Sequence, residues 1–194
     1  MHKRALKLIS AFAVSTLVSV HPASAAKPAK VPTAAPAAAP SPAASQAAPA
    51  APIEWVLNKT FEKWGLICNK ANAKDCRAVQ TQNYDNAATK GRLLQAVVSV
   101  EKDRTFLILT LPFGVDLRGG LVARIDENEE VKSVFMTCLP DGCQSIIELD
   151  AKLLSQFVSG KLMKVGFRPW GGENTLVVDV PLEGAKEAVA ALKL

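Results

Sequence analysis

The sequence predicts an all-β sandwich with two short covering helices, and three observations support this fold class. From residue 53 onward, short runs rich in Val, Ile, Phe and Thr alternate with turn-forming residues, a pattern typical of strands. The run Val131–Cys138 alternates imperfectly and is partly apolar on both faces, as expected between two packed sheets. Only two segments, 150–159 and 184–193, have helical periodicity instead.

The first 52 residues are predicted to precede this domain. Residues 1–25 combine a cationic start, the apolar run Leu8–Val20 and the motif Ala23-Ser24-Ala25, which together indicate a signal peptide cleaved before Ala26. Residues 26–52 contain thirteen Ala and seven Pro. Because proline at this density prevents a continuous helix, we expect a disordered, semi-extended linker there. The folded domain is therefore assigned to residues 53–194.

Nine strands are predicted in this domain, separated by turns rich in Gly, Asn and Asp. The predicted strands are Trp64–Cys68, Cys76–Gln82, Leu93–Lys102, Thr105–Leu111, Leu121–Asp126, Val131–Cys138, Gln144–Leu149, Leu162–Arg168 and Thr175–Val180. The segment Asn72-Ala73-Lys74-Asp75 is assigned to the first of the turns. A helix is expected after Asp150, a typical N-cap, and it is expected to stop at Gly160.

Four cysteines, Cys68, Cys76, Cys138 and Cys143, all lie in the domain. An even number of cysteines in an exported chain indicates disulfide bonds. The short spacings favour the neighbour pairs Cys68–Cys76 and Cys138–Cys143. The two crossed pairings stay open, including an inter-sheet bridge such as Cys68–Cys143.

Charge and histidine content exclude several classes of function. The segment before residue 53 contains five of the 23 Lys and Arg residues and none of the 18 Asp and Glu residues, so the domain is formally neutral. A neutral domain argues against nucleic-acid binding. Both histidines, His2 and His21, lie in the predicted signal peptide. The mature protein would then lack Ser–His, Cys–His and His–zinc chemistry, and neither a cofactor nor a metal site is expected.

Two catalytic alternatives stay open without histidine. Paired carboxylates can hydrolyse glycans. The candidate carboxylates are those of the segment Asp126–Glu130, Asp116 beside Arg118, and Glu148 with Asp150. Cys138 and Cys143 are the candidates for a thiol–disulfide reaction. The sequence has no recognised catalytic motif to support either alternative, so we predict a protein that is not an enzyme.

Glycine-containing turns with aromatic residues provide the candidate binding residues. Pro112-Phe113-Gly114 and Pro169-Trp170-Gly171-Gly172 place a large ring beside conformationally free backbone, and Trp and Arg are frequent in binding hot spots. Phe113, Arg118 and Trp170 are therefore predicted to contact a partner. The residues by themselves favour the other interpretation, in which Phe113 and Trp170 pack over the ends of the sandwich.

From Trp64 to the C-terminus, the chain resembles the invasion-associated locus B family of exported bacterial proteins. The similar elements are Trp64-x3-Cys68, Cys76-x3-Gln80, Leu111-Pro112-x-Gly114-Val115-x-Leu117, Gly120-x4-Ile125-Asp126, Cys138-x-Pro140-x-Gly142-Cys143 and Pro181-Leu182-x-Gly184. Ala185 stands where the family pattern suggests an aromatic residue. The resemblance implies an immunoglobulin-like β-sandwich, periplasmic or outer-surface residence, an association with entry into host cells and no established enzymatic activity.

Together, the residues and the resemblance predict an exported, disulfide-stabilised, non-catalytic envelope protein that acts by binding. The expected partner is a protein or another component of the cell envelope or of the host-cell surface. We expect the attachment to a membrane to be peripheral, because the apolar run Leu8–Val20 is shorter than the roughly 20 residues that span a bilayer.

Overall fold

Eleven antiparallel strands in two facing sheets make up most of the computed structural model, which describes residues 53–85 and 90–192. The predicted signal peptide at 1–25 and linker at 26–52 lie outside the described residues. The strands are β1 (Trp55–Phe61), β2 (Trp64–Asn69), β3 (Asn72–Asp85), β4 (Lys90–Glu101), β5 (Arg104–Leu111), β6 (Leu121–Ile125), β7 (Val131–Ser133), β8 (Phe135–Leu139), β9 (Gly142–Glu148), β10 (Leu162–Phe167) and β11 (Leu176–Pro181).

The larger sheet has seven strands in the order β1-β2-β3-β4-β5-β9-β8, and the smaller has four in the order β11-β10-β6-β7. Their inner faces share one apolar core, which includes Leu94, Leu107 and Leu109 of the larger sheet and Ala123 and Val165 of the smaller. The prediction of an all-β sandwich is confirmed. No helix among the described residues is both long and apolar enough to cross a bilayer.

Two helices, α1 (Ala151–Ser159) and α2 (Ala185–Ala191), occupy the predicted helical segments. Asp150 caps α1 by accepting a hydrogen bond from the Leu153 N–H at 2.8 Å, as its residue type predicts. Helix α2 contacts β1, β2 and β3. Gly184 precedes α2 with φ of 85°, and a Cβ there would clash with the Phe61 carbonyl. The glycine therefore lets the chain pass close to the end of β1.

An aromatic pair anchors this helical end of the core. Trp64 on β2 is fully buried, and its ring meets that of Phe157 on α1 edge to face, with the ring centres 5.5 Å apart. The Trp64 indole N–H donates a hydrogen bond to the Pro181 carbonyl at 3.2 Å. The buried indole is therefore packed and has a polar partner, so it stabilises the contact of β2 with α1 and β11.

The strand predicted at Val131–Cys138 is two strands, so this prediction was wrong. β7 belongs to the smaller sheet and β8 to the larger, and the chain changes sheet at Val134. The Ser145 hydroxyl donates a hydrogen bond to the Ser133 hydroxyl at 2.7 Å beside this crossing. Burial alternates through the crossing, and the alternation in the sequence is imperfect because the apolar residues Val134 and Met136 are exposed.

Two further strand boundaries differ from the predictions. β1 was not predicted, because its side chains are mostly exposed and a bulge between Leu57 and Lys59 interrupts its pairing. The segment 72–75 is the start of β3 rather than a turn. The hairpin turn lies at residues 70–71 instead. There the Asn69 side chain accepts a hydrogen bond from the Ala71 N–H at 2.9 Å.

Candidate functional site

Two loops at one end of the sandwich bring the predicted binding residues together. We call them the aromatic loop pair: residues 112–120, between β5 and β6, and residues 168–175, between β10 and β11. Val115 and Pro169 form an isolated β-bridge. The Trp170 N–H donates to the Gly114 carbonyl at 2.8 Å, and the Asp116 N–H donates to the Arg168 carbonyl at 2.8 Å. Backbone pairing therefore holds the two loops side by side.

The aromatic residues of this loop pair face solvent rather than the core. Phe113 is 62% exposed and Trp170 is 67% exposed. Leu117 is 48% exposed and lies in the first loop. The favoured interpretation, in which Phe113 and Trp170 pack over the ends of the sandwich, is therefore wrong. The same loop pair therefore exposes three large apolar side chains to water.

A buried carboxylate organises the loop pair from beneath. Asp116 is buried, and its carboxylate accepts a hydrogen bond from the Arg168 guanidinium of the other loop and one from the Arg118 N–H at 3.2 Å. The Arg168 hydrogen bond is the main cause that lowers the pKa of Asp116 below its ordinary value. Burial opposes this shift and the Arg118 N–H adds to it. Asp116 is therefore ionised at neutral pH and fixes both loops at once.

Arg118 connects this carboxylate to the exposed aromatic surface. Its guanidinium Nε lies 3.7 Å from an Asp116 carboxylate oxygen, and its Cζ lies 5.4 Å from the centre of the Trp170 ring. The second distance is within the range of a cation–π contact. The structure thus places Arg118 and Trp170 in contact. Phe113 lies in the same loop pair, directly before Gly114, whose carbonyl accepts the hydrogen bond from the Trp170 N–H.

The four cysteines lie elsewhere, in two hairpins of the larger sheet. Cys68 bonds to Cys76 across β2 and β3, and Cys138 bonds to Cys143 across β8 and β9. In both cases the two residues are direct cross-strand partners. These are the neighbour pairs that the spacing favours, and an inter-sheet bridge is absent from the described residues. Each bridge closes one hairpin of the larger sheet and does not link the two sheets.

A family model matches the region that contains all of these features. The model for the invasion associated locus B (IalB) protein matches residues 64–193, about two thirds of the chain. The chain belongs to this family. The resemblance found in the sequence motifs is thereby confirmed, and the aromatic loop pair and both disulfides lie inside the matched region.

Related proteins and a related structure agree with this membership. Two invasion protein B homologs from Brucella abortus, of strain 2308 and of biovar 1 strain 9-941, are each 30% identical over 130 residues, which cover 66% of this chain and 74% of theirs. The crystal structure of invasion associated protein B from Bartonella henselae superposes with a TM-score of 0.63 at 24% identity. That match covers 71% of this chain and 96% of the other, and it supports the same fold.

In this IalB family member, most of the carboxylates considered for catalysis have structural partners. The Asp126 carboxylate accepts hydrogen bonds from the N–H groups of Lys161 and Leu162 at 3.0–3.2 Å. Glu148 pairs with Arg104, and Glu129 lies 3.2 Å from Lys152. Glycoside hydrolysis by carboxylates needs two of them to face each other across the substrate. These carboxylates instead bind backbone groups or neighbouring cations.

Sequence reasoning missed two residues of the loop pair, Arg168 and Leu117, and gave Asp116 no supporting role. Asp116 stands two residues before Arg118, a spacing typical of an Asx turn, and its carboxylate does accept the Arg118 N–H. That signal was available from the sequence. The pairing of Asp116 with Arg168 was not, because 52 residues separate them.

Proposed function

We propose that this family member is an exported, disulfide-stabilised envelope protein that acts by binding, without catalysis, and that the aromatic loop pair is its contact surface. The partner is a protein or another component of the cell envelope or of a host-cell surface, and the contact is peripheral. Family membership supports the envelope and invasion setting. The loop pair supports the choice of surface.

The observation that supports this proposal most is that large apolar rings are exposed on loops whose backbone is held in place. Phe113 and Trp170 expose large apolar rings while the loops beneath them are held by backbone pairing and by the Asp116 ion pair. Loops that are ordered before binding lose less conformational entropy when the partner binds. Exposed rings on a pre-ordered support are typical of the anchor residues of an interface.

Co-sedimentation of the full chain with bacterial envelope fractions and with host-cell membranes tests the proposal. We expect saturable binding to at least one of these materials, and we expect Trp170→Ala and Phe113→Ala each to weaken it by about tenfold or more, the loss typical of an anchor residue. Leu57→Ala is the matched control, because Leu57 is 66% exposed but lies on β1, outside the loop pair.

Absence of saturable binding to both materials would contradict the proposed function. Binding that Leu57→Ala weakens as much as Trp170→Ala does would contradict the choice of surface. Thermal unfolding of each variant accompanies the binding measurement, so that a loss of folding is not read as a loss of contact.

A further inference from the structure

We propose that a cavity on the outer face of the larger sheet is a second binding site, and that its ligand is an uncharged oligosaccharide. The cavity has a volume of about 460 Å³ and crosses the sheet from Trp55 on β1 to Leu139 at the end of β8. This volume is within the usual range for ligand sites. The cavity lies outside the aromatic loop pair, since none of residues 112–120 or 168–175 lines it.

The floor of the cavity has an apolar row beside a polar row, and strand register creates both. Val79, Val97 and Ile108 are direct cross-strand neighbours on β3, β4 and β5. Two residues away along β4 and β5, Gln95 and Thr110 are cross-strand neighbours, and Thr110 also pairs with Gln144 on β9. Alternation along the strands sends both rows to the same face of the sheet. All six of these side chains line the cavity.

These two rows match the two surfaces of a sugar ring. A pyranose has an apolar C–H face, which packs on aliphatic or aromatic side chains, and a rim of hydroxyl groups. Each hydroxyl both donates and accepts a hydrogen bond, and the glutamine amide offers one group of each kind. Gln95 and Gln144 are half-buried in the floor, where a hydrogen bond is less exposed to competing water than on a convex surface.

An aromatic residue closes one end of the cavity. Trp55 is half-buried, and the Arg77 guanidinium lies 4.3 Å from the centre of its ring. This cation–π contact orients the indole at the edge of the cavity. β1, which supplies Trp55, precedes the region that the family model matches. The aromatic end of the site is therefore contributed by a strand outside the matched region.

The charges of the lining favour an uncharged ligand. The charged residues of the lining are Arg77, Arg92 and Asp141. Arg77 packs on Trp55, and the Arg92 guanidinium binds the Asp141 backbone carbonyl and lies 3.8 Å from its carboxylate. Arg92 and Asp141 are thus paired in charge, Arg77 stacks on the ring at the edge, and the floor formed by the two rows carries no charge.

A sugar fits this floor better than a peptide does. The main-chain N–H and C=O groups of β3, β4, β5 and β9 pair with one another in the sheet. A peptide bound on the face would therefore find few backbone partners for its own amides, whereas peptide recognition by sheets normally uses an open edge.

Titration of the full chain with short neutral oligomers of hexose and of N-acetylhexosamine tests this inference, with an alanine-rich peptide as the comparison. Fluorescence is measured on a Trp170→Phe background, in which Trp55 and the buried Trp64 are the remaining tryptophans. We expect at least one oligosaccharide to shift the emission saturably. Trp55→Phe in the same background should abolish the shift.

The affinity is then measured by calorimetry for Gln95→Ala and Gln144→Ala, and each should weaken it by about tenfold or more, since each removes hydrogen bonds to the sugar. Gln82→Ala is the matched control, because Gln82 is a half-buried glutamine of β3 that does not line the cavity, and it should leave the affinity unchanged. Failure of every oligosaccharide to bind, binding of the peptide alone, or affinities unaffected by both glutamine variants would overturn the inference. None of these results bears on binding to envelope fractions through the loop pair.

Discussion

Trp64 and Trp170 are the same residue type in opposite settings, and the comparison separates what folds this protein from what we propose it uses for binding. Trp64 is fully buried, contacts Phe157 and donates its indole N–H to a backbone carbonyl. Trp170 is 67% exposed, and Arg118 is the cation near its ring. One indole has its packing and its hydrogen bond inside the molecule. The other presents most of its surface to the outside.

For these two tryptophans, what holds the surrounding chain indicates the role better than the residue type does. The core around Trp64 is held by packing, which any loss of volume disrupts. The loop around Trp170 is held by backbone pairing and by the buried Asp116 carboxylate, so removing the exposed ring leaves that support in place. Stability and binding should therefore respond to different substitutions.

The largest effect is expected at Trp64. Trp64→Ala removes the ring that packs on Phe157 and leaves a cavity, so we expect a loss of about 3–5 kcal/mol in the free energy of unfolding. Chemical denaturation measures it. Trp64→Phe keeps most of the volume and should cost less. Equal costs for the two variants would show that the hydrogen bond to Pro181, and not packing, dominates.

The next effect concerns the hairpin of β8 and β9. Replacing both Cys138 and Cys143 by Ser opens a small loop, and the chain-entropy model predicts a loss of roughly 2–3 kcal/mol. The same replacement at Cys68 and Cys76 is the comparison, because that bridge has a sequence separation of 8 rather than 5 and its loss should cost slightly more. Denaturation midpoints that do not move in either variant would contradict a structural role for the bridges.

The third effect is a pH dependence located at Asp116. Because hydrogen bonding to Arg168 lowers the pKa of Asp116 in the folded state, the ionised carboxylate stabilises the fold above the ordinary aspartate pKa of about 3.9. This stabilisation is lost as the pH falls through the lowered pKa, where the folded protein takes up the proton. Asp116→Asn should therefore flatten the fall in stability with acidification. An unchanged slope would contradict this.

The smallest effect on stability is expected at the exposed ring. Trp170→Ala should change the free energy of unfolding by no more than about 0.5 kcal/mol, since few internal contacts are lost at an exposed position. Denaturation under the conditions used for Trp64→Ala checks this. A loss approaching that of Trp64→Ala would show that the ring is part of the fold.

The sequence was sufficient for the layers of the fold but not for the routing of the chain between them. Strand composition, the Asp150 cap and the short cysteine spacings are local signals, and they predicted the sandwich, α1 and the favoured disulfide pairing. The change of sheet at Val134 has no local signal of comparable strength. The exposed edge strand β1 lacks the buried alternation by which strands are recognised.

The candidate binding surface was partly predictable for the same reason. Phe113 and Trp170 stand beside glycines in turns, which marks them locally. The contact of Arg118 with Trp170 and the pairing of Asp116 with Arg168 join residues that are 52 apart in the chain. Such contacts depend on which two loops the sandwich brings to the same end. The polar and apolar rows of the outer-face cavity depend in turn on the register of four strands.

The most direct test of the central claim measures binding and stability on the same preparation of Trp170→Ala. We expect the variant to unfold at the same denaturant concentration as the wild type and to have lost most of its affinity for the envelope or host-membrane material that the wild type binds. A variant with undiminished affinity, or one whose affinity falls only in proportion to its folded fraction, would contradict it.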